Sequence, residues 1–270
     1  MDLKVIPAKE AMIHPTAVID PTAVIHKNVT IGAYAFIGPN CEIGAGTVIG
    51  PHAVIAKNVR MGRENHIYPH AVIGEDPQDL KFHGEYSTVV IGDGNMIREF
   101  VTIHRATGEN CETRIGSHNM FQAYTHIAHN SNFGDYIVMS GYSGVAGHVT
   151  VEDHAVIGGM SGIHQFVKIG ACAMVGGMSK IVQDVCPFVI VDGNPARVVG
   201  LNSVGLSRNN VTPEVKGYMK KAYRLIFRSG LKLEEAIAEM EQELPSTPEI
   251  EHLLRFLRNC DRGLCRTRER

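Results

Sequence analysis

Residues 115–150 read IGSHNM FQAYTH IAHNSN FGDYIV MSGYSG VAGHVT, and an apolar residue opens every one of these six-residue blocks. The same spacing continues forward to Ile181 and occurs again between Ile13 and Ile73. A period of six matches neither an amphipathic helix nor a simple alternating strand. It is typical of a parallel β-helix, in which three short strands form one coil of about 18 residues and the coils stack. The pattern therefore predicts an all-β parallel β-helix over most of the chain.

The six-residue frame is interrupted twice by polar sequence. Residues 75–88 place Asp79 and Glu85 where apolar residues are due, and residues 107–113 form a second break. We expect both segments to leave the coil as loops. Long insertions on a regular scaffold are more often functional than decorative, so the first loop in particular is expected to be functional.

The repeat stops near Cys186-Pro187, and the sequence after it is typical of helices. Thr212-Pro213-Glu214 combines an N-cap residue, a proline at the first helical position and an acidic first turn. We expect helices from there to about Ser229, from Leu231 to about Leu244 and from Glu249 to about Cys260. The chain is thus divided into a β-helix at 1–192 and a C-terminal helical domain at 193–270, which covers the open end of the coil.

Composition excludes several classes of protein. The 270 residues carry 26 Lys and Arg against 28 Asp and Glu, for a net charge of −2, so a nucleic-acid partner is not expected. No apolar run is long enough to span a membrane, and the amino terminus does not resemble a signal peptide. The six cysteines show no zinc-ligand spacing, which favours reduced thiols and a cytoplasmic location.

Four histidines within the repeat are the candidates for chemistry. His126, His129, His148 and His164 recur at separations near one coil, so we expect them to form a column on one edge. One hypothesis is zinc-dependent hydration, as in a β-helical carbonic anhydrase, although the H-x-x-H spacing does not favour it. A second is acyl transfer, with a neutral histidine taking a proton from the acceptor as it attacks a thioester. A third is a non-catalytic β-helical scaffold.

Several motifs carry a resemblance that extends over nearly the whole chain. They are Pro77-Gln78-Asp79-Leu80-Lys81, His126-Ile127-Ala128-His129, Ala146-Gly147-His148-Val149, His164-Gln165-Phe166, Met174-Val175-Gly176-Gly177 and the run from Tyr223 to Gly230. With the hexapeptide frame, these motifs resemble the family of acyl-[acyl-carrier-protein]–UDP-N-acetylglucosamine O-acyltransferases. A generic hexapeptide acetyltransferase would share only the frame. The related N-acyltransferases that act later in the same biosynthetic pathway, lipid A biosynthesis, are less similar, because they carry an additional uridine-binding domain before the repeat.

The resemblance implies a fold, an assembly and a reaction. The fold is a left-handed parallel β-helix with a C-terminal α-helical domain, and the assembly is a homotrimer with sites between neighbouring subunits. The reaction is the transfer of an (R)-3-hydroxyacyl chain from acyl carrier protein to the 3-position of UDP-N-acetylglucosamine, the first step of lipid A biosynthesis. The donor is carried on the phosphopantetheine of the carrier protein, and no other cofactor or metal is expected.

The resemblance also assigns roles to individual residues. His129 matches the general base, and Gly147 matches the backbone donor to the oxyanion. Gly177 matches the position that limits acyl length, where a glycine leaves room for a long chain. The positions expected to contact substrate are Gln78, Asp79, Lys81, His126, His148, His164, Gln165, Asn202 and Arg208. The positions expected to dock the acidic carrier protein are Lys220, Lys221, Arg224 and Arg228, which share one face of a helix.

Three positions depart from the family pattern. An aspartate usually follows the catalytic histidine, whereas this chain has Asn130, whose amide orients the ring but adds no negative charge. Val204 replaces a glutamate near the nucleotide, and an arginine pair is reduced to Arg208-Asn209. A weaker base suits a more nucleophilic acceptor, so N-acylation of a 3-amino sugar nucleotide stays open as an alternative.

Overall fold

The computed structural model describes residues 12–267, and the hexapeptide frame winds into a parallel β-helix. Most of its strands are two residues long and end on the apolar frame residue. Successive side chains of a strand face opposite ways, so the frame residue points inward and the residue before it points outward. Ile55 and Ile127 are fully buried in this way, whereas their neighbours Val54 and His126 are half-buried on the outer surface. The prediction of the β-helix is confirmed.

Three parallel sheets form the sides of the coil within the described residues. The first sheet contains β1 (Val18–Ile19), β4 (Phe36–Ile37), β7 (Val54–Ile55), β10 (Val72–Glu75), β13 (Thr102–His104), β16 (His126–Ile127), β19 (Gly144–Val145), β22 (Gly162–Ile163) and β25 (Lys180–Ile181). The second sheet contains β2 (Val24–Ile25), β5 (Glu42–Ile43), β8 (Val59–Met61), β11 (Ser87–Ile91), β14 (Cys111–Ile115), β17 (Asn132–Phe133), β20 (Thr150–Val151) and β23 (Lys168–Ile169).

The third sheet contains β3 (Thr30–Ile31), β6 (Val48–Ile49), β9 (His66–Ile67), β12 (Met96–Ile97), β15 (Met120–Phe121), β18 (Val138–Met139), β21 (Val156–Ile157), β24 (Met174–Val175), β26 (Val189–Gly193) and β27 (Ala196–Leu201). Almost every turn between sheets holds a residue with positive φ, such as Tyr124 (φ 63) and His148 (φ 61). The side chains of equivalent turns therefore stack in columns along the three corners.

Both breaks in the frame leave the coil as expected. The first insertion, residues 76–86, connects β10 to β11 and is shorter than the expected 75–88, because Glu75 belongs to β10 and Ser87 and Thr88 belong to β11. The second insertion is residues 105–110, shorter than the expected 107–113, because Cys111–Ile115 pairs in register with Ser87–Ile91 and is part of a strand. Both insertions lie at the corner between the first and second sheets.

Four helices follow the last coil: α1 (Ser203–Arg208), α2 (Pro213–Phe227), α3 (Leu233–Glu243) and α4 (Pro248–Arg258). Thr212 caps α2 by accepting a hydrogen bond from the Val215 N–H, as its position before Pro213 predicted. Neither α1 nor the antiparallel pairing of β26 with β27, which extends the third sheet to Leu201, is predicted by the hexapeptide frame. The division at residue 192 stays a prediction. Among the helices of residues 12–267, none combines the length and apolarity needed to cross a membrane.

Candidate active site

An open groove of about 640 Å³ lies on the outer face of the first sheet, next to its corner with the second sheet. Its lining includes Gln78, His126, His129, Gly147, His164 and Gln165. Register places these residues together, because His126 pairs with Gly144 and Gly144 pairs with Gly162 on successive coils. Six of the residues predicted from sequence are thus brought to one groove.

His129 is fixed through one of its two ring nitrogens. Its Nδ1 lies 2.8 Å from Asn130 Oδ1, and its ring side chain is 14% exposed. Asn130 Oδ1 also accepts the Thr107 N–H at 2.9 Å, while Asn130 Nδ2 donates to the Thr107 carbonyl at 3.0 Å. Because Oδ1 can only accept, Nδ1 carries the ring proton. The lone pair of Nε2 is then free to take a proton from a substrate.

Three further histidines surround this ring. His148 packs edge-on against His129 with 5.3 Å between ring centroids, and His104 packs edge-on against His126 at 5.1 Å. Burial, with smaller contributions from neighbouring histidines, lowers the pKa of His126 to about 4 and lowers the pKa of His104 and His148. These three rings are therefore neutral near pH 7.

His104 was missed by the sequence analysis. Its ring is buried, and its Nδ1 has no hydrogen-bond partner among residues 12–267. In a regular coil of 18 residues, residue 108 would pair with His126. The second insertion lengthens this coil, so Thr102 pairs with His126 instead and the proximity of His104 cannot be seen from its spacing. Aligning coils across the insertion would have placed His104 beside the other histidines.

The first insertion brings a carboxylate to the exposed side of His129. Asp79 Oδ2 lies 3.9 Å from His129 Nε2, and the Asp79 side chain is 20% exposed. The Lys81 N–H donates to Asp79 Oδ1 at 3.0 Å and is the main reason that the pKa of Asp79 is lowered. The Lys81 side chain is exposed on the same turn. A carboxylate in this position can stabilise a protonated imidazole.

Gly147 lies against the His129 ring. A Cβ added to Gly147 would be 2.5 Å from both Cε1 and Nε2 of His129, so a side chain at this position would collide with the ring. Within the described part of the chain, the Gly147 N–H has no hydrogen-bond acceptor. A free backbone donor beside a base is the arrangement needed to stabilise an oxyanion.

The far end of the groove is polar. His164 is exposed, and its Nδ1 accepts a hydrogen bond from Arg262 Nη2 at 3.3 Å. Lys180 follows along the first sheet. Arg262 belongs to the C-terminal segment, and its own backbone N–H donates to the buried Asp184 carboxylate at 3.1 Å. The C-terminal segment therefore reaches the polar end of this groove through Arg262.

Three of the predicted site residues lie at other corners of the coil, away from His129. Asn202 is buried at the corner between the second and third sheets, where its Nδ2 donates to the Cys172 carbonyl and its Oδ1 caps α1. Arg208 is exposed at the end of α1. Gly177 lies at the corner between the first and third sheets, beside Gly159. Within a single chain, these three residues are therefore not brought to His129.

The four basic residues predicted to dock the carrier protein, three on α2 and Arg228 at its C-cap, are exposed, as a docking surface requires. Lys220, Arg224 and Arg228 form no ion pair among residues 12–267, whereas Lys221 Nζ pairs with Glu243 at 2.7 Å. The opposite face of α2 is buried through Met219, Ala222 and Ile226. As for metals, no group of three or more His, Cys, Asp or Glu within residues 12–267 is arranged to hold an ion.

A β-helix of hexapeptide repeats, with an oriented histidine beside a free backbone N–H, is typical of a hexapeptide-repeat acyltransferase. Family models agree: one described as bacterial transferase hexapeptide matches residues 10–45 and 40–75, and one described as UDP N-acetylglucosamine O-acyltransferase, domain 2, matches residues 184–265.

Relatives cover almost the whole chain. The acyl-[acyl-carrier-protein]–UDP-N-acetylglucosamine O-acyltransferase of Thermodesulfovibrio yellowstonii is 48% identical over 94% of this chain and 99% of its own length. The solved UDP-N-acetylglucosamine O-acyltransferase of Moraxella catarrhalis is 44% identical, with a TM-score of 0.90 over 94% of this chain and 99% of that one. The UDP-N-acetylglucosamine acyltransferase of Bacteroides fragilis is 38% identical, with a TM-score of 0.92 over 94% of this chain and 100% of that one.

The chain therefore belongs to the acyl-[acyl-carrier-protein]–UDP-N-acetylglucosamine O-acyltransferase family. The fold is the left-handed parallel β-helix that the resemblance implied. The hypotheses of a zinc hydratase and of a non-catalytic scaffold are both wrong for this chain, because its relatives are acyltransferases.

Proposed function

We propose that this chain transfers an (R)-3-hydroxyacyl group from acyl carrier protein to the 3-position of UDP-N-acetylglucosamine, the first step of lipid A biosynthesis. The observation that carries the proposal is His129, whose Nδ1 is bound to Asn130 Oδ1 at 2.8 Å and whose Nε2 faces the groove beside Gly147. The six free cysteines fit a reducing, cytoplasmic location.

The proposed reaction proceeds by direct attack. His129 Nε2 takes the proton from the acceptor hydroxyl as its oxygen forms a bond to the thioester carbon. The Gly147 N–H stabilises the negative charge on the carbonyl oxygen, and Asp79, 3.9 Å from Nε2, stabilises the protonated ring. When the carbon–sulfur bond breaks, the ring returns its proton to the departing phosphopantetheine thiol. No resident cofactor takes part in this scheme.

The remaining predicted contacts fall into two groups. We assign sugar binding to Gln78, Asp79 and Lys81 of the first insertion, and binding along the groove to His126, His148, His164 and Gln165. The neutral rings of His126 and His148 can donate to hydroxyl and carbonyl groups without competing for the proton that His129 accepts, which fits the lowered pKa values of these two residues.

We propose a homotrimer, in which a neighbouring copy supplies Asn202, Arg208 and Gly177. The outer positions of the second sheet are mainly charged or polar, including Glu42, Arg60, Arg114, Asn132 and Lys168, with Val24 and Val90 as exceptions. Those of the third sheet are mainly apolar, including Val48, Met96, Met120, Val138, Val156 and Met174. Apolar surface of this extent on one side of a β-helix favours contact with further copies of the chain.

An exposed aromatic column supports the same assembly. Along the corner between the first and third sheets, Tyr34, His52, His70, Phe100, Tyr124 and Tyr142 stack with neighbouring centroids 4.8 to 5.2 Å apart. Tyr34 is 61% exposed and Tyr142 is 62% exposed in the single chain. A Tyr124→Lys exchange is expected to convert the trimer to monomer in light-scattering measurements. An unchanged trimer would place the interface elsewhere.

The test of the activity is a turnover assay with hydroxyacyl carrier protein and UDP-N-acetylglucosamine. His129→Ala is expected to lower kcat by about 10²–10⁴-fold, the range attributed to general bases. His118→Ala is the matched control, because His118 is an exposed histidine on a different corner. A His129→Ala enzyme that keeps near-parental turnover would exclude His129 as the base.

A second candidate acceptor is a 3-amino sugar nucleotide. Asn130, a neutral partner for the catalytic ring, favours it, because an amine needs less help from a base than a hydroxyl does. Offering both acceptors in competition decides between them, with the preferred one having the higher kcat/KM.

A further inference from the structure

A buried arginine joins the two insertions at their bases. Arg105 is 1% exposed and is the first residue of the second insertion. Its Nε donates to the Gly74 carbonyl at 3.0 Å, its Nη1 donates to Ser87 Oγ at 3.1 Å, and its Nη2 binds Asp76. Gly74 and Ser87 flank the first insertion, so one guanidinium holds both ends of it. A buried charge persists in a fold only where it is paired and hydrogen-bonded.

A carboxylate near the end of the first insertion joins the two insertions a second time. Glu85 Oε1 accepts the Gly108 N–H at 2.8 Å, and Glu85 Oε2 accepts the His83 N–H at 2.7 Å. The Asn110 N–H donates to the Tyr86 carbonyl at 2.8 Å beside it. The second insertion is therefore fixed at Arg105 and at Gly108, and Thr107 lies between these two points.

Thr107 determines which way the Asn130 amide faces. Its N–H requires the amide oxygen at 2.9 Å, and its carbonyl requires the amide nitrogen at 3.0 Å. In the reverse orientation, the amide nitrogen of Asn130 would face the Thr107 N–H, and the amide oxygen would face the Thr107 carbonyl, so neither hydrogen bond could form. It would also turn the amide nitrogen toward His129 Nδ1, leaving the ring proton on Nε2 and the ring unable to act as a base toward the groove.

We propose that Glu85 and Arg105 are positioning residues for His129: by holding Thr107, they fix the Asn130 amide and keep the ring proton of His129 on Nδ1. The inference deepens the proposed function and rests on His129 being the base. Neither residue touches the groove, and both act through the second insertion.

The dependence on the insertions follows from the amide at position 130. A carboxylate offers an accepting oxygen in either orientation, so it sets the same ring tautomer without help from Thr107. An amide has one accepting end and must be oriented by its neighbours. The contacts of Glu85 and Arg105 are thus needed most in a chain that carries asparagine after its histidine.

The principal test replaces Glu85, which lies on the surface loop. Glu85→Ala removes the contact to Gly108 and is expected to lower kcat about tenfold, with part of the His129 ring changing to the Nε2–H form. The tautomer is read from ¹⁵N shifts of the ring in histidine-labelled protein. Glu85→Gln keeps an accepting oxygen and is expected to restore both kcat and the tautomer. Glu64→Ala, an exposed glutamate on another corner, is the matched control.

A second background distinguishes positioning from a general loss of structure. In Asn130→Asp protein, Glu85→Ala is expected to cost less than threefold in kcat, because the tautomer no longer depends on Thr107. An equal loss in both backgrounds, or an unchanged His129 tautomer in Glu85→Ala, would overturn the inference. If His129→Ala keeps its activity, the proposed function fails instead, whatever the ring tautomer shows.

Discussion

Replacing Gly147 by alanine tests whether the position of the His129 ring limits the reaction. The added Cβ would be 2.5 Å from His129 Nε2 and Cε1, whereas ordinary contact begins at 3.4 Å. The ring must therefore move by about 1 Å, and a displacement of this size can cost about 100-fold in rate. The backbone N–H of residue 147 is retained, so the loss reports on the ring.

The assay is steady-state turnover with saturating hydroxyacyl carrier protein and sugar nucleotide. Gly147→Ala is expected to lower kcat about 100-fold while the thermal midpoint stays close to that of the parent. Gly200→Ala is the matched control, because an added Cβ there meets nothing within 4 Å and the residue lies on β27, away from the groove. A Gly147→Ala enzyme within threefold of the parent would refute the reasoning that the ring acts from its present position.

Three further predictions follow from particular residues. Because burial lowers the pKa of His126 from 6.5 to about 4, the folded chain binds fewer protons than the unfolded chain between these values, so the free energy of unfolding falls as pH falls through that window. His126→Gln should lose less stability than the parent between pH 7 and pH 4.5 in urea titrations, and equal losses would contradict the assignment. Gly177→Met should fold normally, since an added Cβ meets only Gly159 O at 3.4 Å, and should shift donor preference to shorter acyl chains; unchanged preference would remove Gly177 from the acyl groove. Lys220→Glu with Arg224→Glu should raise KM for carrier protein about tenfold at low salt and less at high salt, while Lys221→Ala, already paired with Glu243, should have a smaller effect. A salt-independent KM would argue against docking on α2.

Part of the candidate site follows the period of the chain, and part of it lies in the two insertions, which have no period. His126, His129, His148 and His164 were found because stacking converts a separation near 18 into proximity, and His129 was singled out by family resemblance. His104 and Arg105 were not found, because the second insertion changes the local separation to 24 between Thr102 and His126. Glu85 was noticed only as a polar residue in an apolar position.

The sequence by itself determined the architecture of this protein. An apolar residue at every sixth position can be buried only if the chain turns after each short strand, so Ile55, Ile127 and their equivalents define the coil without any long-range information. The tertiary structure alone decided which atom of His129 is free. That choice depends on Thr107, 23 residues before Asn130, and on Glu85, 23 residues before Gly108. Neither insertion has a period, so only folding shows which of their polar groups meet.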